Sequence, residues 1–127
     1  MVSEITSVQE FADAVKTSNN RIVVFDFYAD WCRPCKEIAP YFNELASIHP
    51  NVGFYKVNAG NQSLDEISGA CMITGLPSFL FLHNEKIVTK IVGANPELLN
   101  STIQECSRAI ENQNQDNQEA QNNNVSN

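Results

Sequence analysis

Basic residues are scarce in this chain. Lysine and arginine together number 8 against 15 Asp and Glu in 127 residues, a formal charge of −7. Nucleic-acid binding needs clustered cations to neutralise phosphates, so the composition argues against that class. An acidic field favours partners that carry basic patches. Long apolar runs are missing too: no stretch approaches the ~18 residues of a membrane span, and no membrane partner is expected. The opening Met1-Val2-Ser3-Glu4 has neither a basic n-region nor an apolar h-region, so no signal peptide is visible. The closing Asn124-Val125-Ser126-Asn127 is not a retention sequence. A cytoplasmic address is the expectation. In that compartment the 4 cysteines do not read as a secreted disulfide framework; cytosolic disulfides are mostly transient and catalytic or sensing.

What the chain does have is one unusual stretch, Phe27-Tyr28-Ala29-Asp30-Trp31-Cys32-Arg33-Pro34-Cys35-Lys36. A β-type apolar run enters it, a helical pattern leaves it, and two thiols lie between. At this spacing they can close a disulfide across the first turn of a helix, bind a metal, or pack inertly. A metal site of this kind takes four ligands, and the remaining Cys71, Cys106, His49 and His83 form no second paired motif. No metal is therefore expected, and redox use leads.

The rest of the chain predicts an α/β domain. Val2 to Ile5 is a weak strand pattern. Ser7 and Glu10 form a capping box that opens a helix, with Val8, Phe11, Ala12 and Val15 on its buried stripe. Ile22 to Tyr28 is apolar on both alternating faces, as in a strand covered on both sides, and Asp26 alone interrupts it. A helix then runs from about Pro34, with Ile38, Phe42 and Leu45 inward, Tyr41 and Ile48 beside them, and a kink at Pro40. Val52 to Asn58 alternates as a strand. Ser63 and Glu66 read as a second capping box over a short helix that buries Leu64, Ile67 and Cys71. Ser78 to His83 and Ile87 to Val92 flank a tight Asn84-Glu85 turn, an antiparallel hairpin. The last helix has Asn95 as N-cap and Pro96 at its first position, and buries Leu99, Ile103, Cys106 and Ile110. This order, β-α-β-α-β-α-β-β-α, predicts a mixed sheet flanked by helices in one domain over residues 1–111. From 112 to 127 the composition changes abruptly: 11 of 16 residues are Asn or Gln. Such a segment buries too little apolar surface to offset its ordering entropy, and a disordered tail is expected.

Four features now stand at characteristic spacing. They are Trp31-Cys32-Arg33-Pro34-Cys35-Lys36 after a buried strand, Asp26 inside that strand, Gly75-Leu76-Pro77-Ser78-Phe79 before the hairpin, and Gly93-Ala94 after it. Over roughly residues 2 to 110 the chain resembles the thioredoxin family. Arg33 departs from the family's glycine, and the polar tail is additional. The resemblance implies a thioredoxin fold, with a five-stranded mixed sheet and four helices. It implies a protein dithiol–disulfide oxidoreductase in which Cys32 attacks a client disulfide and Cys35 resolves the intermediate. Asp26 would exchange a proton with Cys35, and Pro77 would be a cis-proline facing Cys32. Trp31, Leu76, Gly93 and Ala94 would form the docking face with it. The implied partners are thioredoxin reductase, which itself consumes NADPH, and disulfide-bearing clients such as peroxiredoxin-type reductases. This chain would bind no cofactor and act as a monomer. An alternative from another class uses the same fold as a client-binding or iron–sulfur-bridging module.

Physical chemistry gives several of these residues a rationale. A thiol near a helix N-terminus is acidified by the dipole and free N–H groups, as the resemblance implies for Cys32. A carboxyl midway along a doubly covered strand should have its pKa raised by desolvation, unless a neighbour such as Lys56 satisfies it. Arg33, beside Pro34 and between the thiols, should favour thiolate and make the protein a slightly weaker reductant, by at most ~30 mV. Cys106 reads as a small hydrophobe in the core, and Cys71 as structural or as an oxidisable thiol.

Overall fold

The computed structural model describes residues 1–125, with side chains described as far as residue 113. The strands are β1 (Val2–Ile5), β2 (Ile22–Tyr28), β3 (Gly53–Asn58), β4 (Ser78–His83) and β5 (Lys86–Val92). They form one sheet in the order β1-β3-β2-β4-β5. β3 is inserted between β1 and β2 and is parallel to both, whereas β4 and β5 are antiparallel additions. Parallel neighbours require crossover connections, which α1 (Val8–Lys16) and α2 (Arg33–Ile48) supply. α3 (Asp65–Ala70) and α4 (Pro96–Val125) complete the mixed sheet with four helices that the sequence predicts.

Period-two alternation along β2 divides the core into two layers. Ile22 and Val24 pack with Phe54, Phe79 and Phe81 against Ile38 and Phe42 of α2 and Leu99 and Ile103 of α4. Val23, Phe25 and Phe27 face the other way, with Ala14 of α1, Ile67 of α3 and Leu80 of β4. Because both faces are covered, β2 is buried along nearly its whole length and can hold a polar side chain away from water. That property positions the site.

Several local expectations need correction. On α1, Val8 and Ala12 are exposed, and the inward stripe is Phe11, Ala14 and Val15, one face of a helix that meets the sheet through its C-terminal half. Ser7 caps α1 by accepting from the Glu10 N–H, but the Glu10 carboxylate bonds the Thr6 N–H and hydroxyl and does not return to Ser7. On α2, Tyr41 and Ile48 are exposed, and Ala46 is buried in their place. Pro40 lies inside α2, as expected, and the helix continues past it to Ile48. Ser63 is not a cap; Asn61 accepts from its N–H and hydroxyl over a 3-10 turn at Gln62–Leu64, and α3 follows without a side-chain cap.

The α4 helix is capped as expected, with the Leu98 N–H donating to the Asn95 side chain at 3.1 Å. It runs on to Val125, so the Asn/Gln-rich segment expected to be disordered has helical backbone that far. No Pro or Gly occurs there to stop a helix already nucleated upstream. Residues 126 and 127 lie outside the described residues. Ile110 is the last of the described side chains packed on the core.

Candidate active site

The β2 strand ends at Tyr28, and a turn closed by the Cys32 N–H on the Ala29 carbonyl (3.2 Å) delivers the chain to α2. Cys32 is the N-cap of that helix. Its Sγ accepts from the Cys35 N–H at 3.3 Å, and its carbonyl accepts from the Lys36 N–H. Pro34 fits the first turn because its missing N–H would have no intrahelical acceptor there. Cys32 and Cys35 are joined in a disulfide with their Cα atoms 5.3 Å apart. Opening that bond leaves the Cys32 sulfur at the positive end of a 16-residue helix with an N–H already aimed at it, which stabilises a thiolate.

The Leu76–Pro77 bond is cis. The Pro77 carbonyl accepts from the Gly93 N–H at 2.9 Å, so the 75–77 and 93 segments are tied together. Gly93 has φ 110, a conformation that side-chain-bearing residues rarely adopt. Trp31 is 77% exposed and Leu76 packs on the Cys32–Cys35 cluster. Trp31, Cys32, Ala59, Ser68 and the run Ile73 to Leu76 enclose a depression of about 360 Å³. Ala94 packs instead on the α2–α4 core. A larger cavity of about 480 Å³ lies at the far end of β2, around Asn19, Arg21, Asn51 and Ser107. It contains no thiol, so size does not identify the site.

Asp26 is 1% exposed, and its Oδ1 has no hydrogen-bond partner. Burial raises its pKa from the usual 3.8 to about 7, opposed by the charge of Lys56 and reinforced by that of Glu4. Lys56 is its register partner, but the ammonium rests 4.5 Å from the centre of the Tyr28 ring. Tyr28 donates its hydroxyl to Glu4 at 2.8 Å. Burial first, and then that bond, pushes the phenol's pKa up, so Tyr28 stays a neutral donor. Arg33 is 90% exposed along its side chain and directs its guanidinium down the helix to Glu37, at 3.2 Å. Cys71 and Cys106 are free and buried on opposite faces of the sheet, apart from the Cys32–Cys35 cluster, and burial raises both thiol pKa values.

The structure therefore brings Trp31, Cys32, Cys35, Leu76 and Pro77 to one end of the sheet, with Asp26 buried in β2 two residues before that strand ends. Sequence reasoning missed Glu4, Tyr28 and Glu37 around this constellation, and Ala59, Ser68, Ile73 and Thr74 in the depression. Glu37 was legible as Arg33's i+4 neighbour. Glu4 was not, because only the strand order brings β1 beside β3.

A family model described as thioredoxin matches residues 2–105. Thioredoxin-1 of Saccharomyces cerevisiae is 35% identical over 103 residues, covering 81% of this chain and 96% of its own. A thioredoxin-like protein of Acanthamoeba polyphaga mimivirus is 39% identical over 107 residues, 84% of this chain and 78% of that one. The X-ray structure of Fasciola hepatica thioredoxin superposes with a TM-score of 0.77 at 31% identity, covering 82% of this chain and 98% of that chain. The joined thiols and these relatives favour disulfide exchange over a passive binding or cluster-bridging module. This chain belongs to the thioredoxin family, and protein disulfide oxidoreduction is its activity.

Proposed function

We propose that this chain reduces disulfides of client proteins in the cytoplasm, with Cys32 as the attacking thiolate and Cys35 as the resolving thiol. One observation carries this assignment of roles: Cys32 Sγ sits at the N-cap of α2, accepting the Cys35 N–H. In the reduced protein the Cys32 thiolate attacks one sulfur of a client disulfide. The client S–S bond breaks, its other sulfur leaves as a thiolate and takes a proton, and a mixed disulfide forms. Asp26 accepts the proton of the Cys35 thiol. The Cys35 thiolate then attacks Cys32 Sγ, closing Cys32–Cys35 and releasing the second client sulfur as a thiolate, which takes the proton held by Asp26. Two electrons and two protons pass to the client.

An extended client segment would run along the cis-Pro77 loop, pairing with the Leu76 backbone and covering Trp31, with Gly93 and Ala94 at the rim. Re-reduction falls to a thioredoxin reductase, with NADPH as that enzyme's reductant and no cofactor bound here. A chain of this fold, 33% identical, belongs to a solved complex of ferredoxin:thioredoxin reductase and thioredoxin f2. Another, 32% identical, belongs to work on thiol resolution in a yeast mitochondrial 1-Cys peroxiredoxin. Both support reductase and peroxiredoxin-type partners. The free state of Cys71 and Cys106 supports a reducing compartment.

Insulin reduction with a dithiol donor tests the roles. Cys32→Ser should abolish turnover, and Cys35→Ser should accumulate a mixed disulfide with the client. Full activity in Cys32→Ser would overturn the mechanism.

A further inference from the structure

Lys56 stands between two carboxylates. Its Cα is the register partner of Glu4 on β1 and of Asp26 on β2, so the three side chains leave one face of the sheet in a row. Tyr28, two residues beyond Asp26, shares that face. The ammonium sits on neither carboxylate. It lies over the Tyr28 ring at 4.5 Å, and among the described residues the only ion pair within 4 Å is Arg33–Glu37. Glu4 Oε1 accepts the Tyr28 hydroxyl at 2.8 Å, at the far end of that same ring. Asp26 Oδ1 is left buried and unbonded. The ionisable groups facing Asp26 are Glu4 from β1, Tyr28 from β2 and Lys56 from β3; its register partner on β4 is Phe79.

We propose that Glu4 is a positioning residue for disulfide exchange: by gripping the Tyr28 hydroxyl and facing Lys56, it keeps the ammonium on the ring and off Asp26. The inference rests on Asp26 as the proton carrier. Two carboxylates compete for one cation, and the winner decides the state of the other. A hydrogen bond from phenol to carboxylate adds electron density to the ring, which strengthens its hold on a cation over its face. If Glu4 loses its charge, Asp26 becomes the only carboxylate in the row. A close ammonium then favours the ionised form, and the carboxyl no longer holds a proton near neutral pH. The opposing influences of Lys56 and Glu4 on Asp26 have the signs this requires.

The test is the titration of the Asp26 carboxyl carbon, followed by NMR in the oxidised full-length protein. Glu4→Gln should lower the midpoint by about one pH unit, a tenfold change in the proton equilibrium. Tyr28→Phe, which keeps the ring and removes the grip, should lower it in the same direction by less. The deciding comparison repeats Glu4→Gln in a Lys56→Met background, where the shift should be much smaller. Equal shifts in the two backgrounds would mean that Glu4 acts through its own charge alone, and would overturn the proposal. So would an unmoved midpoint in both Glu4→Gln and Tyr28→Phe. The pH profile of insulin reduction separates this from the reading of Asp26. If Asp26→Asn leaves that profile unchanged, Asp26 is not the proton carrier, while the NMR shifts still judge Glu4.

Discussion

Asp26 is held in the fold against a desolvation penalty that changes with pH. Below the ordinary value of 3.8 the carboxyl is protonated in both folded and unfolded chains and does not oppose folding. Between 3.8 and about 7 the unfolded chain has released its proton and the folded chain has kept it. The folded state then binds more protons, so stability falls as pH rises through this window and levels off above it. At ~1.4 kcal/mol per tenfold, the full penalty at pH 8 is on the order of 4 kcal/mol. Asp26→Asn should therefore stabilise the oxidised protein against urea at pH 8 much more than at pH 4. Equal gains at both pH values would contradict the protonation account. Arg33 is a milder case. Its guanidinium is solvated and engaged by Glu37, so its influence on the thiols is screened. Arg33→Gly should lower the reduction potential by less than ~30 mV, and Glu37→Gln should raise it. A potential unchanged or raised in Arg33→Gly, measured by equilibration with glutathione, would rule out a role for Arg33 in tuning.

Among the elements, the β4–β5 hairpin illustrates how local chemistry and tertiary contacts share a turn. Asn84 and Glu85 both have positive φ, 52 and 64, as a tight two-residue hairpin with the sheet's twist demands. Asn tolerates this conformation; Glu does not favour it. Tertiary bonds fix the turn from outside, with the Asn84 side chain accepting the Asn20 N–H and the Glu85 N–H donating to Ser18 Oγ. Glycine at 85 keeps that backbone donor and removes the Cβ conflict, at the expense of added freedom in the unfolded chain. Glu85→Gly should raise stability by about 0.5–1 kcal/mol, visible as a higher melting temperature. A lower melting temperature would show that the exposed Glu85 side chain makes a contribution the backbone account omits.

Across the whole molecule, the described packing of α4 on the core is made by its N-terminal half. Leu99, Ile103 and Cys106 are buried under α4, and Ile110 is the last of the described side chains against the core. Beyond Ile110 the backbone stays helical to Val125. Truncation to residues 1–112 should change unfolding free energy by less than about 0.5 kcal/mol, as for surface changes, and leave insulin reduction intact. The far-UV helical signal should fall as the extension is removed. A large loss of stability would mean that the extension contributes to the folded domain.

The redox pair, the helix it caps, the doubly covered strand and the amphipathic stripes of the helices were all written in residue order. Cys32, Cys35 and Pro34 act through their immediate neighbours, and period-two and helical spacing are local properties. Ser63 and Val8 were misread because capping and burial depend on which turn meets the sheet. The strand order was not local at all. Only the insertion of β3 between β1 and β2 aligns Glu4, Lys56 and Asp26 in one row. The sequence by itself determined which thiols pair and that an acid interrupts the buried strand before them. The tertiary structure decided which charges that acid meets, because charge interactions act through space and Glu4, Asp26 and Lys56, far apart along the chain, become neighbours only when the sheet forms.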